Sequence, residues 1–247
     1  MSKCQIIRPV VDLLDQPEGA RQRQLIWGEQ VTVKDKQGGW AQIVAAKDGY
    51  PGYVPSAALA AAVQTTHWVS AVATHVYTRP DFKSPDLHSL SFGSQVQLLS
   101  QGERFSETPD GFIPTPHLSP LELHLKDPVA VAELFLGTPY LWGGNSRLGI
   151  DCSGLVQASL LACGLPCPGD SGPQERALGN YAPPNGGNYR RGDLLFWKGH
   201  VALVRDCETL VHANAFHMAV ALEPLQPAID RILAQGDGAV TAHKRLL

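Results

Sequence analysis

Cys152 is the residue whose type and position point most directly to chemistry. It is the second residue of the segment Asp151-Cys-Ser-Gly-Leu-Val156, where apolar residues begin to recur at helical spacing. The unpaired N–H groups and the dipole of a helix N-terminus favour negative charge, so such a position can lower a thiol pKa from about 8.5 to roughly 3.5–7.5. The sequence therefore predicts a nucleophile with its thiolate available at neutral pH. A buried structural cysteine is the alternative.

Two histidines are predicted to lie on adjacent strands that follow this helix. His200 opens one strand and His212 lies in the next, with residues 205–207 as the hairpin loop. If that loop has three residues, Val204 lies opposite Glu208 and the two histidines face each other, with Cβ atoms about 4.5–5.5 Å apart. One imidazole would then take the thiol proton while the other orients it. A two-histidine metal site and a pair of core histidines are the alternatives.

The composition limits the partners that are expected. Of the 247 residues 44% are apolar and 17% are charged, and the net charge is −3 without a run of basic residues. We expect no nucleic-acid partner, because phosphate binding needs clustered Lys and Arg. No stretch approaches the ~20 apolar residues of a membrane span, and the N-terminal region lacks the pattern of a signal peptide. We therefore expect no membrane association and a cytoplasmic location. A mature form whose leader was removed is the alternative.

The cysteines show no spacing that predicts a metal site or a disulfide framework. Cys163 and Cys167 could form half of a zinc site, but no second half follows them at ligand spacing. We expect reduced thiols, and neither a metal ion nor an organic cofactor. The five cysteines are Cys4, Cys152, Cys163, Cys167 and Cys207.

The first half of the chain contains two similar segments, 10–59 and 72–118. Each has short alternating runs broken by Gly, Pro and Asp, and each ends in Gly-aromatic-aliphatic-Pro with a Leu four residues after the Pro. About 50 residues of short strands suit a small barrel. We predict two SH3-like β-barrels, residues 1–63 and 64–124. A chance match inside one larger β-domain is the alternative.

Helical patterns begin after residue 124. Asp127 is a predicted cap for a helix over 129–136, and a second helix runs from Cys152 to a stop at Gly164. Four strand-like runs follow, so residues 125–247 are predicted to form an α+β domain. These runs are 193–197, 200–204, 210–212 and 218–222.

Five motifs in this half, in their order and spacing, resemble the NlpC-type family of papain-fold cell-wall peptidases. The resemblance implies a papain-like fold with Cys152 as nucleophile, His200 as base and His212 as the orienting residue. The two preceding segments resemble bacterial SH3-type domains. The motifs are Thr138-Pro-Tyr-Leu-Trp-Gly-Gly144, Asp151-Cys-Ser-Gly-Leu-Val156, Arg191-Gly-Asp-Leu-Leu-Phe-Trp197, Gly199-His-Val-Ala-Leu-Val204 and Leu210-Val-His-Ala213.

The whole chain resembles the family's γ-D-glutamyl-L-diamino acid endopeptidases, which implies a substrate. Such enzymes cleave the bond between γ-D-Glu and diaminopimelate or Lys in peptidoglycan stem peptides that have a free N-terminal L-Ala. Where the family often has Arg, this chain has Gly169. Tyr53 and Glu29 are further candidates from the first barrel. The substrate-binding residues implied by the resemblance are Tyr50, Asp151, Ser153, Asp170 and Ser171.

Other activities remain open for the same pair of side chains. An N-acetylmuramoyl-L-alanine amidase or an acyltransferase would use the same cysteine and histidine on another bond. A non-catalytic wall-binding protein would need neither, because SH3-type domains bind peptides. The resemblance and the expected cytoplasmic location favour a peptidase that recycles peptides already released from the wall.

Overall fold

The computed structural model describes residues 2–182 and 188–246, which divide into two compact units. The first unit is Met1–Leu123 together with Asn145–Arg147, and the second is His124–Gly144 together with Leu148–Leu247. Within the described ranges, no helix has the length and apolar character needed to cross a membrane.

The first half of unit 1 is a seven-stranded antiparallel sheet. Its strand order is β3-β2-β6-β5-β4-β1-β7, and the side chains on its inner face, such as Ile6, Leu13 and Ile43, are fully buried. The strands are β1 (Ser2–Ile6), β2 (Val10–Leu14), β3 (Arg21–Ile26), β4 (Gln30–Gln37), β5 (Trp40–Ala45), β6 (Pro51–Pro55) and β7 (Leu59–Ala61).

The second half of unit 1 has two smaller sheets around its own core. Their orders are β10-β9-β13-β12 and β11-β8-β14, and Trp27 from the preceding half packs into their core. The strands are β8 (His67–Val69), β9 (Ala73–Tyr77), β10 (Asp86–Ser91), β11 (Gln95–Val96), β12 (Phe105–Thr108), β13 (Gly111–Pro114) and β14 (Leu118–Pro120). A short strand from the later chain, β15 (Asn145–Ser146), also belongs to this unit.

The matching ends of the two sequence segments have the same local structure. In each, a strand ends at a proline, one 3-10 turn follows, and a new strand starts at the leucine: Ser56–Ala58 before β7, and Thr115–His117 before β14. The prolines that precede the turns, Pro55 and Pro114, have nearly equal backbone angles (φ −56° and −54°). The similarity between the two segments in sequence therefore extends to their backbone geometry at these turns.

Among its described residues, unit 2 is a six-stranded antiparallel sheet with four helices. The order is β17-β22-β18-β19-β20-β21, and Leu225, Ala228 and Ile232 of α4 pack on the sheet residues of one core. Its elements are α1 (Pro128–Glu133), β16 (Gly149–Ile150), α2 (Cys152–Ala162), α3 (Ser171–Ala177), β17 (Asn180–Tyr181), β18 (Leu194–Trp197), β19 (His200–Asp206), β20 (Thr209–Asn214), β21 (Ala219–Pro224), α4 (Leu225–Ala234) and β22 (Ala242–Arg245).

The predicted helix starts of unit 2 are confirmed. Asp127 caps α1 by accepting the N–H of Val129, and Asp151 caps α2 by accepting the N–H of Gly154. Gly164 follows α2 with φ of 74°, the left-handed conformation in which glycine ends helices without strain. The four predicted strands are present as β18 to β21, whereas α3, α4 and β22 were not predicted.

The hairpin between β19 and β20 differs from the prediction. Val204 pairs with Leu210 rather than with Glu208, and the register shifts just after Val204. The carboxylate of Asp206 accepts the N–H of Glu208 at 3.0 Å, which closes a two-residue turn in place of a three-residue loop. The predicted direct pairing of the two histidines is therefore wrong, and they occupy diagonal positions.

Candidate active site

The capping carboxylate of α2 fixes the position of Cys152. Asp151 Oδ1 accepts the N–H of Gly154 at 2.6 Å and the hydroxyl of Ser153 at 3.1 Å. Its Oδ2 accepts the N–H of Gly143 at 2.8 Å. The first turn of the helix and the preceding glycine turn are thereby joined at one buried side chain. Cys152 is the first residue of α2, so its orientation follows from this arrangement.

Cys152 is buried beside the start of β19. Its Sγ lies 3.9 Å from the carbonyl oxygen of Gly199, and the N–H of Val201 faces the sulfur. These two residues flank His200, so the thiol lies next to the backbone that carries the imidazole. Burial raises the pKa of the Cys152 thiol to about 12, and the Asp151 carboxylate adds to this effect.

The resting state of the thiol therefore departs from the expected thiolate. The N–H groups of Val201, Ser153 and Cys152 itself lower the pKa, as a helix N-terminus should, but burial outweighs them. A buried thiol with a raised pKa stays protonated at neutral pH. Nucleophilic attack then needs a base that removes the proton, which gives the neighbouring imidazole a defined task.

His200 and His212 are joined by a direct hydrogen bond. The Nε2 atom of His200 lies 2.9 Å from Nδ1 of His212, and His212 is only 1% exposed. Burial lowers the pKa of His200 to about 3, and the neighbouring His212 contributes in the same direction. Burial also lowers the pKa of His212, against the opposing effect of Glu223. Because these two ring nitrogens bond directly to each other, they cannot both face one metal ion, and their arrangement is the one expected for a base and its orienting partner.

A carboxylate and a guanidinium extend the histidine pair into a chain of four side chains. Nε2 of His212 lies 2.9 Å from Oε2 of Glu223 on β21. Arg231 of α4 donates to both oxygens of Glu223, each at 2.7 Å. Burial alone would raise the pKa of Glu223, but the hydrogen bonds from His212 and Arg231 outweigh burial and lower this pKa to about 2.

Sequence reasoning missed Glu223 and Arg231. The register of the β20–β21 hairpin places Leu210 opposite Glu223 and His212 opposite Ala221, so Glu223 is the diagonal neighbour of His212. An acidic residue at that offset was the available signal. Arg231 could not be assigned because α4, which carries it, was not predicted.

Tyr140 lies close to Cys152. Burial raises the pKa of its phenol to about 12, and the charge of the Asp151 carboxylate acts in the same direction. Its backbone N–H donates to the carbonyl of Met218 at 2.9 Å, which attaches it to the loop before β21. A phenol that stays protonated can donate a hydrogen bond toward the reacting group.

The other residues predicted to bind substrate in unit 2 lie at two helix starts. Ser153 follows the nucleophile directly, whereas Asp170 and Ser171 begin α3 and are half-buried. Gln174 of α3 is fully buried, and its Nε2 donates to the carbonyls of Ser153 and Pro168, each at 2.9 Å. One amide therefore joins the start of α3 to the first turn of α2.

The residues of unit 1 that were predicted to bind substrate lie in or next to the seven-stranded sheet. Tyr50 is half-buried against the core of the seven-stranded sheet, with the guanidinium of Arg23 5.6 Å from its ring. Tyr53 lies in β6, and Glu29 is buried, with Oε1 2.5 Å from Nζ of Lys47. The roles assigned to these residues in substrate binding remain predictions.

Comparison with known proteins identifies one domain in each half of the chain. The model of the NlpC/P60 family matches residues 137–229, and the model of the bacterial dipeptidyl-peptidase SH3 domain matches residues 13–59. Residues 137–229 belong to the NlpC/P60 family. The chain thus contains an SH3-like domain followed by a domain of the NlpC/P60 family, a family of cysteine peptidases.

Curated relatives and a solved structure resemble this chain over most of its length. A gamma-D-glutamyl-L-lysine dipeptidyl-peptidase of Bacillus cereus is 28% identical over 243 residues, covering 82% of this chain and 70% of the relative. A protein of the same name from Bacillus subtilis is 32% identical over 198 residues, covering 71% of this chain and 64% of the relative. The crystal structure of a Bacillus cereus NlpC/P60 family protein matches the whole chain with a TM-score of 0.81 at 22% identity.

Proposed function

We propose that this cysteine peptidase cleaves the bond between γ-D-Glu and a diamino acid in peptides derived from peptidoglycan. The diamino acid is meso-diaminopimelate or Lys, and the substrate has a free N-terminal L-Ala. The observation that carries the proposal is the Cys152–His200–His212 geometry at the start of α2, within a domain whose relatives are named for this cleavage.

The first half of the reaction forms a thioester. Nδ1 of His200 takes the proton of Cys152, and the sulfur attacks the γ-carbonyl carbon of D-Glu. The N–H groups at the start of α2 stabilise the oxyanion, and Tyr140 donates to it. The proton on Nδ1 then passes to the amine of the diamino acid as the C–N bond breaks.

The second half releases the acyl group. Nδ1 of His200 takes a proton from water, which attacks the thioester carbon. The C–S bond breaks, the dipeptide leaves with a free carboxyl group that releases its proton to solvent, and the sulfur takes the proton from Nδ1 of His200. The reaction returns Cys152 and His200 to the neutral thiol and neutral imidazole of the resting protein, and no cofactor takes part.

Binding of the substrate's amino terminus is assigned to carboxylates and an aromatic ring. Asp151 and Asp170 would offer charge-assisted hydrogen bonds to the ammonium group, with Ser153 and Ser171 as neutral partners. Asp151 already accepts three hydrogen bonds, and a carboxylate has about four acceptor positions. Tyr50 of the SH3-like domain is proposed to wall the binding site, which would exclude a peptide whose amino terminus is blocked.

The proposal also includes a finer architecture and a location. We take residues 64–124 as a second SH3-like barrel and residues 125–247 as a papain-like fold. The equal strand–turn–strand geometry at Pro55 and Pro114 supports the former, and a cysteine helix followed by an antiparallel sheet supports the latter. A role in recycling implies a cytoplasmic protein, which fractionation of the source cells would test.

The test is incubation of the purified protein with L-Ala-γ-D-Glu-meso-diaminopimelate, its Lys counterpart, and N-acetylated forms of both. Release of the diamino acid from free tripeptides only, and not by a Cys152→Ala variant, is the expected result. Cleavage of blocked and free forms alike would contradict the proposed requirement for a free amino terminus but would leave the peptidase activity established. If neither is cut while muramoyl-peptides lose their glycan, the protein is an amidase instead. Binding without any cleavage would indicate a wall-binding protein.

A further inference from the structure

Glu223 and Arg231 complete the hydrogen-bond chain that begins at the nucleophile. Arg231 donates its Nε and one terminal nitrogen to separate oxygens of Glu223, a bidentate geometry that fixes the plane of the carboxylate. Arg231 itself lies over the ring of Phe216, with its guanidinium carbon 4.4 Å from the ring centroid. The carboxylate is thus held from behind while its Oε2 faces His212.

An ionised carboxylate can only accept hydrogen bonds, and this determines the proton on His212. Because Nε2 of His212 lies 2.9 Å from Oε2 of Glu223, that nitrogen must carry a hydrogen. A neutral His212 then has a lone pair on Nδ1. The opposite tautomer would set two lone pairs against each other inside a buried site, since Arg231 keeps Glu223 from taking a proton.

The same argument fixes the proton on His200. Nδ1 of His212 accepts at 2.9 Å, so Nε2 of His200 must donate, and a neutral His200 is left with its lone pair on Nδ1. Nδ1 is therefore the atom available to the thiol of Cys152, which lies against the backbone on either side of His200. The carboxylate of Glu223 thus determines which nitrogen carries the hydrogen in both imidazole rings.

We propose that Glu223, held by Arg231, is a positioning residue that fixes the Nε2–H tautomers of His212 and His200 and so makes His200 Nδ1 the base for Cys152. When the thiol proton moves to Nδ1, the electron pair of the S–H bond stays on sulfur. His200 becomes an imidazolium that still donates through Nε2, and His212 keeps its own proton. Among the described residues, the ionisable side chains around the pair are Glu223, Arg231 and His217, whose Nδ1 lies 4.0 Å from Oε2 of Glu223.

The proposal rests on the cysteine–histidine pairing of the proposed function, but its test needs no substrate. In Glu223→Gln the amide offers one oxygen, so one of its two orientations turns an N–H toward His212 and reverses both tautomers. We expect two-dimensional spectra of ¹⁵N-histidine-labelled protein to show Nδ1–H forms that the native protein lacks. Alkylation of Cys152 by iodoacetamide should slow, and kcat on any cleaved peptide should fall about 10²–10⁴-fold with KM changed less than about threefold.

Asp193 provides the matched control. It is also a buried carboxylate held by an arginine, Arg245, at two positions and by a histidine, His243, but it lies at the other end of β18 from the nucleophile. Asp193→Asn should lower thermal stability and leave the tautomers of His200 and His212, the alkylation rate and kcat as in the native protein, whereas His243, which bonds Asp193, is free to change its own tautomer. A tautomer shift of His200 or His212 in this variant would show a general effect of loosening the domain and would overturn the proposal.

A second variant keeps the test decisive if Glu223→Gln does not fold. The double variant Glu223→Leu with Arg231→Met removes both members of the ion pair, so neither charge is left buried without its partner. His212 then has no acceptor at Nε2, so both rings should show mixed tautomers and slow alkylation. If either folded variant keeps only the Nε2–H forms, Glu223 does not set the tautomers, whatever happens to the rate. Failure of the tripeptide assay with shifted tautomers would reject only the assigned substrate.

Discussion

Nε2 of His200 lies 2.9 Å from Nδ1 of His212, although the two residues are not cross-strand partners. The register of the hairpin continues from Val204 and Leu210 toward Ala202 opposite His212, so His200 is one diagonal step away. Diagonal neighbours on one face of a sheet are still within reach of long or aromatic side chains. The ring of His200 can therefore bond to His212 and leave its other nitrogen for the thiol.

Removing His212 should impair catalysis far more than folding. In His212→Ala, Nε2 of His200 loses its buried partner and the ring is free to turn away from the thiol. We expect kcat to fall about 10²–10⁴-fold, with a loss of stability of about 1–3 kcal/mol for the unpaired group. Steady-state kinetics and urea denaturation measure the two effects.

His243→Ala is the control for that variant, because His243 also bonds a buried carboxylate, Asp193, at 2.6 Å. This substitution should lower the free energy of unfolding and leave kcat unchanged. Equal rate losses in both variants would mean that His212 acts only by holding the domain together.

Replacing the nucleophile should abolish activity without harming the fold. Cys152→Ala removes a buried neutral thiol, so we expect an unchanged circular dichroism spectrum and a rate reduced by about 10⁴-fold or more. Cys163→Ala, at the half-buried end of the same helix, should keep full activity. Residual turnover of the Cys152 variant near the native rate would point to a different nucleophile.

Acid should destabilise the protein through the buried histidine. Because the pKa of His200 is lowered to about 3 in the folded state, from 6.5, the unfolded chain binds a proton that the folded one does not between those values. The free energy of unfolding therefore falls as the pH drops below about 6.5, by about 1.4 kcal/mol per pH unit for one proton. Glu223, with its pKa lowered to about 2 from 4.5, adds a further loss at lower pH.

Urea denaturation at pH 7, 6 and 5 in the native protein and in His200→Asn would measure this effect. In the variant, the free energy of unfolding should fall less steeply with decreasing pH, by about 1.4 kcal/mol per pH unit, which is the contribution of one proton. Parallel stability curves for the two proteins would show that His200 is not the group that takes up the proton.

The sequence predicted the parts of the site that local signals specify. The two helix caps, Asp127 and Asp151, and the order of strands after them follow from residue types a few positions apart. The hairpin register was missed because a bulge after Val204 depends on how the strands pack, not on composition. The thiol pKa was missed for a related reason, since burial of Cys152 is a tertiary property that outweighs the helix terminus.

Gln174 should control substrate binding through the loop that precedes α3. Its Nε2 donates to the carbonyls of Ser153 and Pro168, which joins the nucleophile's helix to the segment carrying Asp170. Gln174→Ala removes both hydrogen bonds, about 0.5–1.5 kcal/mol each, and frees that segment to move. If Asp170 helps to bind the amino terminus of the substrate, KM for the free tripeptide should rise about tenfold, a loss of about 1.4 kcal/mol of binding, while kcat changes little.

Gln157→Ala is the matched comparison, since Gln157 is also buried on α2 and its Nε2 donates to the carbonyl of Cys167 at 2.9 Å. It should lower the melting temperature by a similar amount and leave KM close to the native value. A rise of KM in both variants would assign the effect to general loosening of the loop. An unchanged KM in Gln174→Ala would remove Asp170 from the proposed binding site, because the segment would have lost its anchor without consequence for the substrate.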